Sequence, residues 1–407
     1  MTDCPQVTVV GIEADGTVMP QGRTVIQSAD VILGWDRHLR QLETSSRPTR
    51  RTIEALDTCV PTLKDYDAGQ NVVLLATGDP LFYGIGGYLR ENVPLERLSF
   101  IPARSSIQLA FASLKEPYNQ ARFHSLHGRD LETLRTPLTR QPEKLALFTE
   151  PDGNTPERIF EFLQEIDCDR YDFYLCECLT GDDDPKQILE LKDFPGEIDP
   201  LNLVVLVRSD GTSQEEHPRP GIGSEWFRTE EDSMVSREDV RMLNLGWLQI
   251  MGDEIVWEIG AGTGSISLES ARLNPEARYY AIEKRKERFE TLRDNIRSLE
   301  TFNVIPRHQS APEAFESLPS PDRVILGGSG GEIKSILSSV DSRITSGTRI
   351  VANFITLGNF NATREFFFEH EYEVSLKQIT VHEDRQFGPG YTRWEKGPCV
   401  YLIRADK

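Results

Sequence analysis

Residues Glu254–Glu283 read EIVWEIGAGTGSISLESARLNPEARYYAIE, and they carry the clearest structural pattern in the C-terminal half of the chain. The apolar run Ile255–Ile259 predicts a strand that is buried on both faces of a parallel sheet. Three alternating glycines follow, where a side chain would keep a ligand away from the backbone. Ser265–Leu273 has the apolar spacing of a helix, and Arg278–Ile282 predicts a second strand. The stretch therefore predicts a strand, a glycine turn, a helix and a strand. The three glycines are Gly260, Gly262 and Gly264.

Two carboxylates beside the glycine turn indicate the ligand. Glu283 ends the second predicted strand, where an acidic side chain can accept both hydroxyls of a ribose. The spacing G-x-G-x-G departs from the dinucleotide pattern G-x-G-x-x-G, because Ser265 stands at the position of the last glycine. Glu258, just before the first glycine, favours a ligand with an ammonium group over one with phosphates. S-adenosylmethionine fits this pattern best; a dinucleotide and a tight turn without a ligand remain the alternatives.

Length and charge restrict the class of protein. A chain of 407 residues predicts two or three domains, since single cores seldom exceed about 300 residues. The formal net charge of −20 argues against a nucleic-acid partner, and a polyanionic small substrate would need local arginines. No apolar run reaches the roughly 20 residues of a membrane span, and Met1–Gln6 lacks the features of a secretory signal. We expect a cytoplasmic protein without a membrane partner.

The six cysteines are scattered along the chain. Cys176 and Cys178 are one residue apart, which is too close for the zinc spacing C-x2-C. We therefore expect free thiols and no metal site. The others are Cys4, Cys59, Cys168 and Cys399.

In the N-terminal half, Asn71–Ala76 predicts a buried parallel strand that runs into the segment Thr77–Gly84. Gly78 would let a ligand touch the backbone, and Asp79 offers a carboxylate. Pro80 predicts the start of the next helix. A turn followed by a capped helix, without any ligand, is the simpler interpretation of this segment taken alone.

Further along, Ser105 or Ser106 is expected to cap a helix over residues 107–114. The segment Arg122–Arg129, with sequence RFHSLHGR, concentrates donors in an otherwise acidic chain. It predicts a rim that binds carboxylates, with a solvated strand and turn as the alternative. Its basic or ionisable residues are Arg122, His124, His127 and Arg129.

The predicted organisation is a domain over residues 1–208, a linker over 209–223 (SDGTSQEEHPRPGIG) and a domain over 224–407. In the last domain Ser236 is expected to cap a helix over 237–246. Alternating strands and helices then predict a doubly wound sheet. Tyr372–Val381 and Cys399–Arg404 predict an antiparallel pair at its end, joined by a loop over 387–398. The fold class is α/β.

Several segments resemble two known families. Residues 76–86, ATGDPLFYGIG, are similar to the tetrapyrrole (corrin) methylase signature A-S-G-D-P-x-F-Y-G-I-G. PARSSIQLA resembles the P-A-x-S-S segment of that family, and SLHGR a segment of its C5 branch. The glycine turn, QSAPEA and GGSGG together resemble the C15 methyltransferase branch. The resemblance implies a tetrapyrrole methylase domain of two α/β subdomains, followed by a Rossmann-like class I methyltransferase domain.

The order of the two domains resembles the precorrin C5,15-methyltransferases (decarboxylating) of cobalamin biosynthesis. That resemblance implies a tetrapyrrole substrate, one S-adenosylmethionine per domain and a homo-oligomer. The N-terminal domain would methylate precorrin-6B at C5. The C-terminal domain would methylate C15 and decarboxylate the ring C acetate, giving precorrin-8X. Glu13, in place of the usual second glycine of the opening turn, and Gln309 and Gly358 depart from the family pattern.

The resemblance also implies site residues. The first cofactor site would be lined by Gly78, Asp79, Pro80, Tyr83, Ser105 and Ser106. The second would be formed by Ser236, Glu258, Gly260, Ala261, Gly262, Thr263, Gly264, Glu283 and Ala311. Candidates for binding substrate carboxylates are Arg104, Arg122, His127 and Arg129 in the first site, and Arg237, Arg385, Arg393, Ser329 and Gly330 in the second. No catalytic residue can be named. A single active domain, a cobalt-containing substrate and an NAD(P)-dependent oxidoreductase are the alternatives.

Overall fold

The computed structural model describes residues 5–42, 48–177, 179, 188–190, 197–209, 221–229, 235–328, 331–386, 388 and 390–407. The chain divides into two compact units. The N-terminal unit comprises Met1–Leu131, Pro142–Phe162 and Arg170–Ser209. The C-terminal unit comprises Glu132–Gln141, Leu163–Asp169 and Asp210–Lys407, so two short segments of the first half group with the second. Residues 210–220 of the predicted linker lie outside the described residues.

The first sheet of the N-terminal unit is parallel, with strand order β3-β2-β4-β1-β5. Apolar residues cover both of its faces, as expected for a parallel sheet. The strands are β1 (Gln6–Ile12), β2 (Val31–Gly34), β3 (Thr49–Thr52), β4 (Asn71–Thr77) and β5 (Leu98–Ile101). The helices are α1 (Pro20–Ser28), α2 (Asp36–Gln41), α3 (Leu56–Leu63) and α4 (Gly86–Asn92).

A second sheet follows with strand order β6-β7-β10-β8-β9, in which β6 and β7 are parallel and the other pairs antiparallel. Its strands are β6 (Arg122–Ser125), β7 (Lys144–Phe148), β8 (Tyr171–Glu177), β9 (Ile188–Glu190) and β10 (Asn202–Arg208). The helices of this part of the chain are α5 (Ser106–Leu114), α6 (Arg135–Thr139) and α7 (Pro156–Glu165). The two sheets with their helices agree with the two α/β subdomains that the resemblance implies.

The sheet of the C-terminal unit has strand order β13-β12-β11-β14-β15-β19-β16. The first five are parallel, and β19 is antiparallel to both β15 and β16. The strands are β11 (Ile255–Ile259), β12 (Arg278–Ile282), β13 (Val304–Arg307), β14 (Arg323–Leu326), β15 (Arg349–Phe354), β16 (Glu373–Ile379) and β19 (Val400–Asp406). The helices are α8 (Glu238–Leu248), α9 (Ser265–Leu273), α10 (Lys286–Leu299), α11 (Ile333–Asp341) and α12 (Leu357–Glu369). The predicted doubly wound sheet with an antiparallel end is confirmed.

Three local predictions are wrong. The predicted loop over 387–398 contains the strand β18 (Thr392–Lys396), which pairs with β17 (His382–Gln386) in a separate hairpin. The helix after Ser236 begins at Glu238, with Arg237 at the N-cap position and no side-chain cap. Helix α4 begins at Gly86 and not at Pro80, because Gly86 N donates to Pro80 O across a turn.

Cys59 and Cys176 are buried thiols, and burial raises the pKa of the Cys59 thiol to about 11. Such thiols are poor nucleophiles at neutral pH. Cys4 and Cys178 lie outside the described residues. Among the described helices, none combines the length and the apolar character that a bilayer crossing requires.

Candidate active sites

The glycine turn after β11 packs directly against the backbone that follows β14. A Cβ atom on Gly260 would lie 2.5 Å from the carbonyl oxygen of Gly328, and the φ angle of Gly260 is +72°. Gly264, with φ +77°, would bring a Cβ to 2.3 Å from Leu292 Cδ1. Gly262 faces open space, although its φ angle of +58° also favours glycine. The first glycine is therefore required by its close approach to backbone, the third is favoured by its φ angle, and the second leaves the backbone accessible.

Glu283 is tied to this turn. Its Oε2 accepts a hydrogen bond from Gly262 N at 3.0 Å, and its Oε1 accepts one from Arg285 N at 2.8 Å. The side chain is buried and lines a cavity of 440 Å³. The structure thus places Glu283 beside the accessible glycine, at the carboxyl ends of β11 and β12. Open α/β sheets bind their ligands at this edge.

Glu258 is buried beneath the turn, on β11. Its Oε2 has no hydrogen-bond partner among the described residues. Burial raises the pKa of Glu258 to about 7; hydrogen bonding with Ser267 partly offsets this rise, and the negative charge of Glu283 adds to it. Glu258 is not among the residues that line the cavity. A buried carboxylate oxygen without a partner is nevertheless costly, so this atom suits a neighbouring hydrogen-bond donor or positive charge.

Other predicted residues of the second site are dispersed around the turn. Ala311 lines the cavity together with Gln309, and the backbone of Ala261 and Thr263 closes the turn through Gly264 N and Asn295 Nδ2. Ser236 is not a cap; its carbonyl accepts a hydrogen bond from Arg241 Nη1. Ser329 and Gly330 lie outside the described residues.

The three arginines predicted for this site all have acidic partners. Arg237 pairs with Glu383 of the hairpin. Arg385 and Arg393 both pair with Glu395 at the surface. The cavity wall instead carries basic residues that the sequence analysis did not single out. They are Lys284, Arg285 and Arg288. In the sequence, these basic residues are visible as the run KRKER directly after Glu283.

In the N-terminal unit, the ends of three strands meet at Gly11. A Cβ atom there would lie 2.0 Å from Gly78 O and 2.4 Å from Ala103 N. Gly78 N donates to Ile12 O, and Ala103 N donates to Gly78 O. Glycine at position 11 therefore allows the carboxyl ends of β1, β4 and β5 to close on one another.

This edge borders a cavity of 340 Å³ that includes five of the six residues predicted for the first site. Pro80 is buried and is not part of the lining. Tyr83 has a φ angle of +52°, and its hydroxyl donates to Phe123 O at 2.9 Å. Ser105 caps α5, because Gln108 N donates to its Oγ at 3.3 Å. The predicted residues in the lining are Gly78, Asp79, Tyr83, Ser105 and Ser106.

Glu13, which departs from the family pattern, has a defined partner. Its carboxylate accepts hydrogen bonds from Arg104 Nε and Nη2, each at 2.7 Å. The Glu13 side chain is 1% exposed and that of Arg104 is 50% exposed. The pair joins the opening turn to the segment before α5. Arg104, predicted to bind substrate carboxylates, has two of its donors occupied.

The other predicted donors of the first site lie away from the cavity lining. Arg122 and Arg129 are exposed at the two ends of the RFHSLHGR segment. His127 Nδ1 lies 3.9 Å from Glu150 Oε1. His124 is half-buried, and burial lowers its pKa. The lining contains basic side chains that were not predicted, Arg37 and His38, which follow β2.

Two family models match this chain, each over a different part of it. The family model for tetrapyrrole (corrin/porphyrin) methylases matches residues 10–192, and that for the precorrin methyltransferase domain matches residues 225–405. A probable cobalt-precorrin-6B C(15)-methyltransferase (decarboxylating) of Pyrobaculum calidifontis is 32% identical over 191 residues, which are 46% of this chain and 95% of that protein. The chain belongs to the precorrin methyltransferase family.

Two further members of the precorrin methyltransferase family are similar to this chain. A precorrin-6Y C(5,15)-methyltransferase [decarboxylating] of a Sinorhizobium species is 29% identical over 358 residues, 86% of this chain and 85% of that protein. A crystal structure of precorrin-6y C5,15-methyltransferase from Geobacter metallireducens shows 34% identity and a TM-score of 0.45, covering 47% of this chain and 99% of that one. The family assignment confirms the resemblance that the motifs carry.

Proposed function

We propose that this chain methylates a precorrin at C5 and C15 with S-adenosylmethionine and decarboxylates its ring C acetate, in the biosynthesis of cobalamin. The substrate would be precorrin-6B and the product precorrin-8X. The observation that carries the proposal is the buried pair Glu258 and Glu283 around the open glycine turn. The cavity lined by the ATGDPLFYGIG segment supports a second methyl-transfer site.

In the C-terminal unit, Glu283 would accept the ribose hydroxyls, and Ala311 would border the adenine in the same cavity. Glu258 would accept the ammonium group, which supplies the partner that its Oε2 lacks. Gly262 leaves the backbone open to the methionine part. When bound, S-adenosylmethionine supplies a methyl group on a good leaving group, so the protein has chiefly to position the acceptor carbon. Such positioning can contribute about 7 to 11 kcal/mol.

In the N-terminal unit, Gly78, Asp79, Ser105 and Ser106 would hold the cofactor at the carboxyl ends of β1 and β4. Tyr83 is fixed by its bond to Phe123 O and packs against Phe82 and Phe148, with ring centroids 5.1 Å apart in each case. This aromatic group would present an apolar wall to a tetrapyrrole ring.

The carboxylates of the substrate require local cations, because the chain carries a net charge of −20. In the second cavity Lys284, Arg285 and Arg288 are placed to bind them. Decarboxylation needs one acetate to be desolvated while the others stay paired. The macrocycle itself would accept the electrons that the departing carbon dioxide leaves behind.

The test is the mass of the product formed from precorrin-6B and S-adenosylmethionine. We expect a gain of two methyl groups and the loss of one carbon dioxide. Glu283→Ala should stop C15 methylation and leave C5 methylation, whereas Gly78→Val should do the reverse. Retention of a bound dinucleotide, together with no binding of S-adenosylhomocysteine, would contradict the proposal and favour an oxidoreductase.

A cobalt-containing substrate is a second candidate, because the relative from Pyrobaculum calidifontis is named for cobalt-precorrin-6B. Comparing kcat/KM for the two substrates under anaerobic conditions separates the candidates. A chain in which one unit only binds intermediates would transfer a single methyl group in either assay.

A further inference from the structure

Three side chains form a hydrogen-bonded cluster at the wall of the first cavity. Arg37 Nε donates to His38 Nε2 at 3.1 Å, and Arg37 Nη2 donates to Thr77 Oγ1 at 3.1 Å. His38 Nε2 and Thr77 Oγ1 are 2.9 Å apart. Arg37 and His38 lie in the first turn of α2, after β2, and Thr77 ends the neighbouring strand β4. All three line the cavity with Gly78 and Asp79.

The direction of these bonds fixes the protonation of His38. A guanidinium nitrogen only donates, so His38 Nε2 has to accept and cannot carry a proton. The imidazole is therefore neutral, with its proton on Nδ1, a buried atom beside the Leu75 backbone that has no partner of good geometry among the described residues. His38 is 4% exposed, and burial, followed by the positive charge of Arg37, lowers its pKa to about 4. Arg37 thus keeps the same two neutral acceptors throughout the neutral pH range.

These acceptors orient the guanidinium without neutralising it. Among the described residues Arg37 has no carboxylate partner, whereas Arg104 is paired with Glu13 and Arg40 is paired with Asp36. Asp79 lines the same cavity, but its Oδ1 accepts from Leu81 N. An oriented cation in a cavity wall, with donors left over, is suited to bind a carboxylate.

We propose that Arg37, held by His38 and Thr77, is the carboxylate-binding residue of the first cavity, and that His38 is its positioning residue. This inference rests on the proposed function of that cavity. The carboxylate belongs either to a peripheral acetate or propionate of the tetrapyrrole or to the methionine part of the cofactor. The residues predicted from the sequence for this role do not line the cavity; they are Arg104, Arg122, His127 and Arg129.

The test uses the full chain carrying Glu283→Ala, so that titrations report the first cavity. Arg37→Gln is compared with Arg40→Gln, which alters an exposed arginine of the same helix. S-adenosylhomocysteine and 5′-methylthioadenosine, which lacks the carboxylate, are titrated calorimetrically. KM and kcat for C5 methylation of the tetrapyrrole are measured in parallel.

If the cofactor supplies the carboxylate, Arg37→Gln weakens S-adenosylhomocysteine binding roughly 10- to 100-fold and leaves 5′-methylthioadenosine binding unchanged. If the substrate supplies it, KM for the tetrapyrrole rises by a similar factor while both titrations and kcat stay the same. Arg40→Gln changes neither. Unchanged titrations and unchanged KM in Arg37→Gln would overturn the proposal.

His38 is tested by its replacements. His38→Gln, whose amide oxygen can accept from Arg37, should retain most of the affinity that His38→Phe loses. Equal losses in both variants would remove the positioning role, and thermal unfolding of each variant checks that it is folded. If the Glu283→Ala chain itself binds no S-adenosylhomocysteine, the proposed function of the first cavity fails, which is a result distinct from any effect of Arg37→Gln.

Discussion

Glu258 is the residue whose titration should be visible in ligand binding. Burial raises its pKa to about 7, so the carboxyl is mostly neutral at pH 6 and mostly ionised at pH 8. The proposed partner is an ammonium group, which only the ionised form attracts strongly. We expect S-adenosylhomocysteine to bind the second site more tightly at pH 8 than at pH 6, by about tenfold or less. Calorimetry on the chain with Gly78→Val isolates that site. Glu258→Gln should remove this pH dependence of binding. If the affinity of this variant still changes between pH 6 and pH 8, another group is responsible.

The same carboxyl affects stability. Its pKa in the folded chain lies above the usual value of 4.5, so the folded state binds this proton more tightly than the unfolded state. The stability it contributes is present below pH 4.5 and is lost as the pH rises through 7. We expect Glu258→Gln without ligand to be more stable than the parent at pH 8, by on the order of 3 kcal/mol. The two should differ little near pH 4.5. Thermal unfolding at the two pH values checks this, and an equal difference at both would contradict it.

Two glycines of the turn should respond differently to substitution. Gly260→Ala places a Cβ 2.5 Å from Gly328 O, and backbone cannot move away cheaply. Gly262→Ala meets open space and has only the strain of a positive φ angle, about 1 to 2 kcal/mol. We expect Gly260→Ala to abolish S-adenosylhomocysteine binding at the second site and to lower the unfolding temperature more than Gly262→Ala. Similar effects in both variants would show that the close approach of Gly260 to the Gly328 backbone is not needed for ligand binding or stability.

At the scale of elements, the pair Glu13 and Arg104 joins the turn after β1 to the start of α5. Arg104→Met would leave a buried carboxylate without its two donors, at a cost of about 1 to 3 kcal/mol. Adding Glu13→Gln should recover part of that loss. Arg51→Met, which breaks an exposed pair with Asp65, is the control and should cost less than about 1 kcal/mol. Urea unfolding gives the three values; additive losses in the double variant would argue against a coupled pair.

A buried network joins α8 and α9 to residues 221 and 222, at the end of the predicted linker. Arg241 and Glu269 form a pair with side chains 0% and 1% exposed, at 2.6 Å. Glu269 Oε1 accepts from Gly221 N at 2.7 Å, and Arg241 also donates to Ile222 O. We expect Arg241→Met to destabilise the C-terminal unit by about 3 to 5 kcal/mol, because Glu269 stays buried and unpaired.

The matched control for Arg241 is Arg228→Met, which breaks an exposed pair with Asp294 and should cost less than about 1 kcal/mol. Urea unfolding followed by tryptophan fluorescence measures both variants. If Arg241→Met lowers the free energy of unfolding by less than about 1 kcal/mol, water or structural relaxation must solvate the Glu269 carboxylate in place of Arg241.

For the whole molecule, the sheets were predictable because apolar runs bounded by glycines mark buried parallel strands. The strands Ile255–Ile259 and Arg278–Ile282 have the bounds that the sequence predicts. The hairpin β17–β18 was missed because its residues are mostly charged and exposed, so no apolar period marks them. The start of helix α8 was predicted one residue too early. Its N-cap residue, Arg237, makes no side-chain capping bond, so no capping residue type marks that position in the sequence.

Site residues could be predicted where they belong to one continuous motif. They could not be predicted where residues far apart in the sequence are brought together by the fold. Glu258, Gly262 and Glu283 lie in the one stretch that forms the turn. Arg37 reaches Thr77 only because β2 and β4 are neighbours in the sheet, which a separation of 40 residues conceals. Glu13 and Arg104, 91 positions apart, pair for the same reason. Charge alone could not tell a paired arginine from one facing a cavity.

Strand β19 enters the C-terminal sheet between β15 and β16 rather than at an edge. During translation, β16 therefore has no neighbour until residues 400–406 leave the ribosome, whereas every strand of the first two sheets has emerged by residue 208. The two sheets of the N-terminal unit can therefore form while the C-terminal unit is still being made. Nascent chains stalled shortly before Val400 should then expose β15 and β16 as unpaired edges, where chaperones would bind.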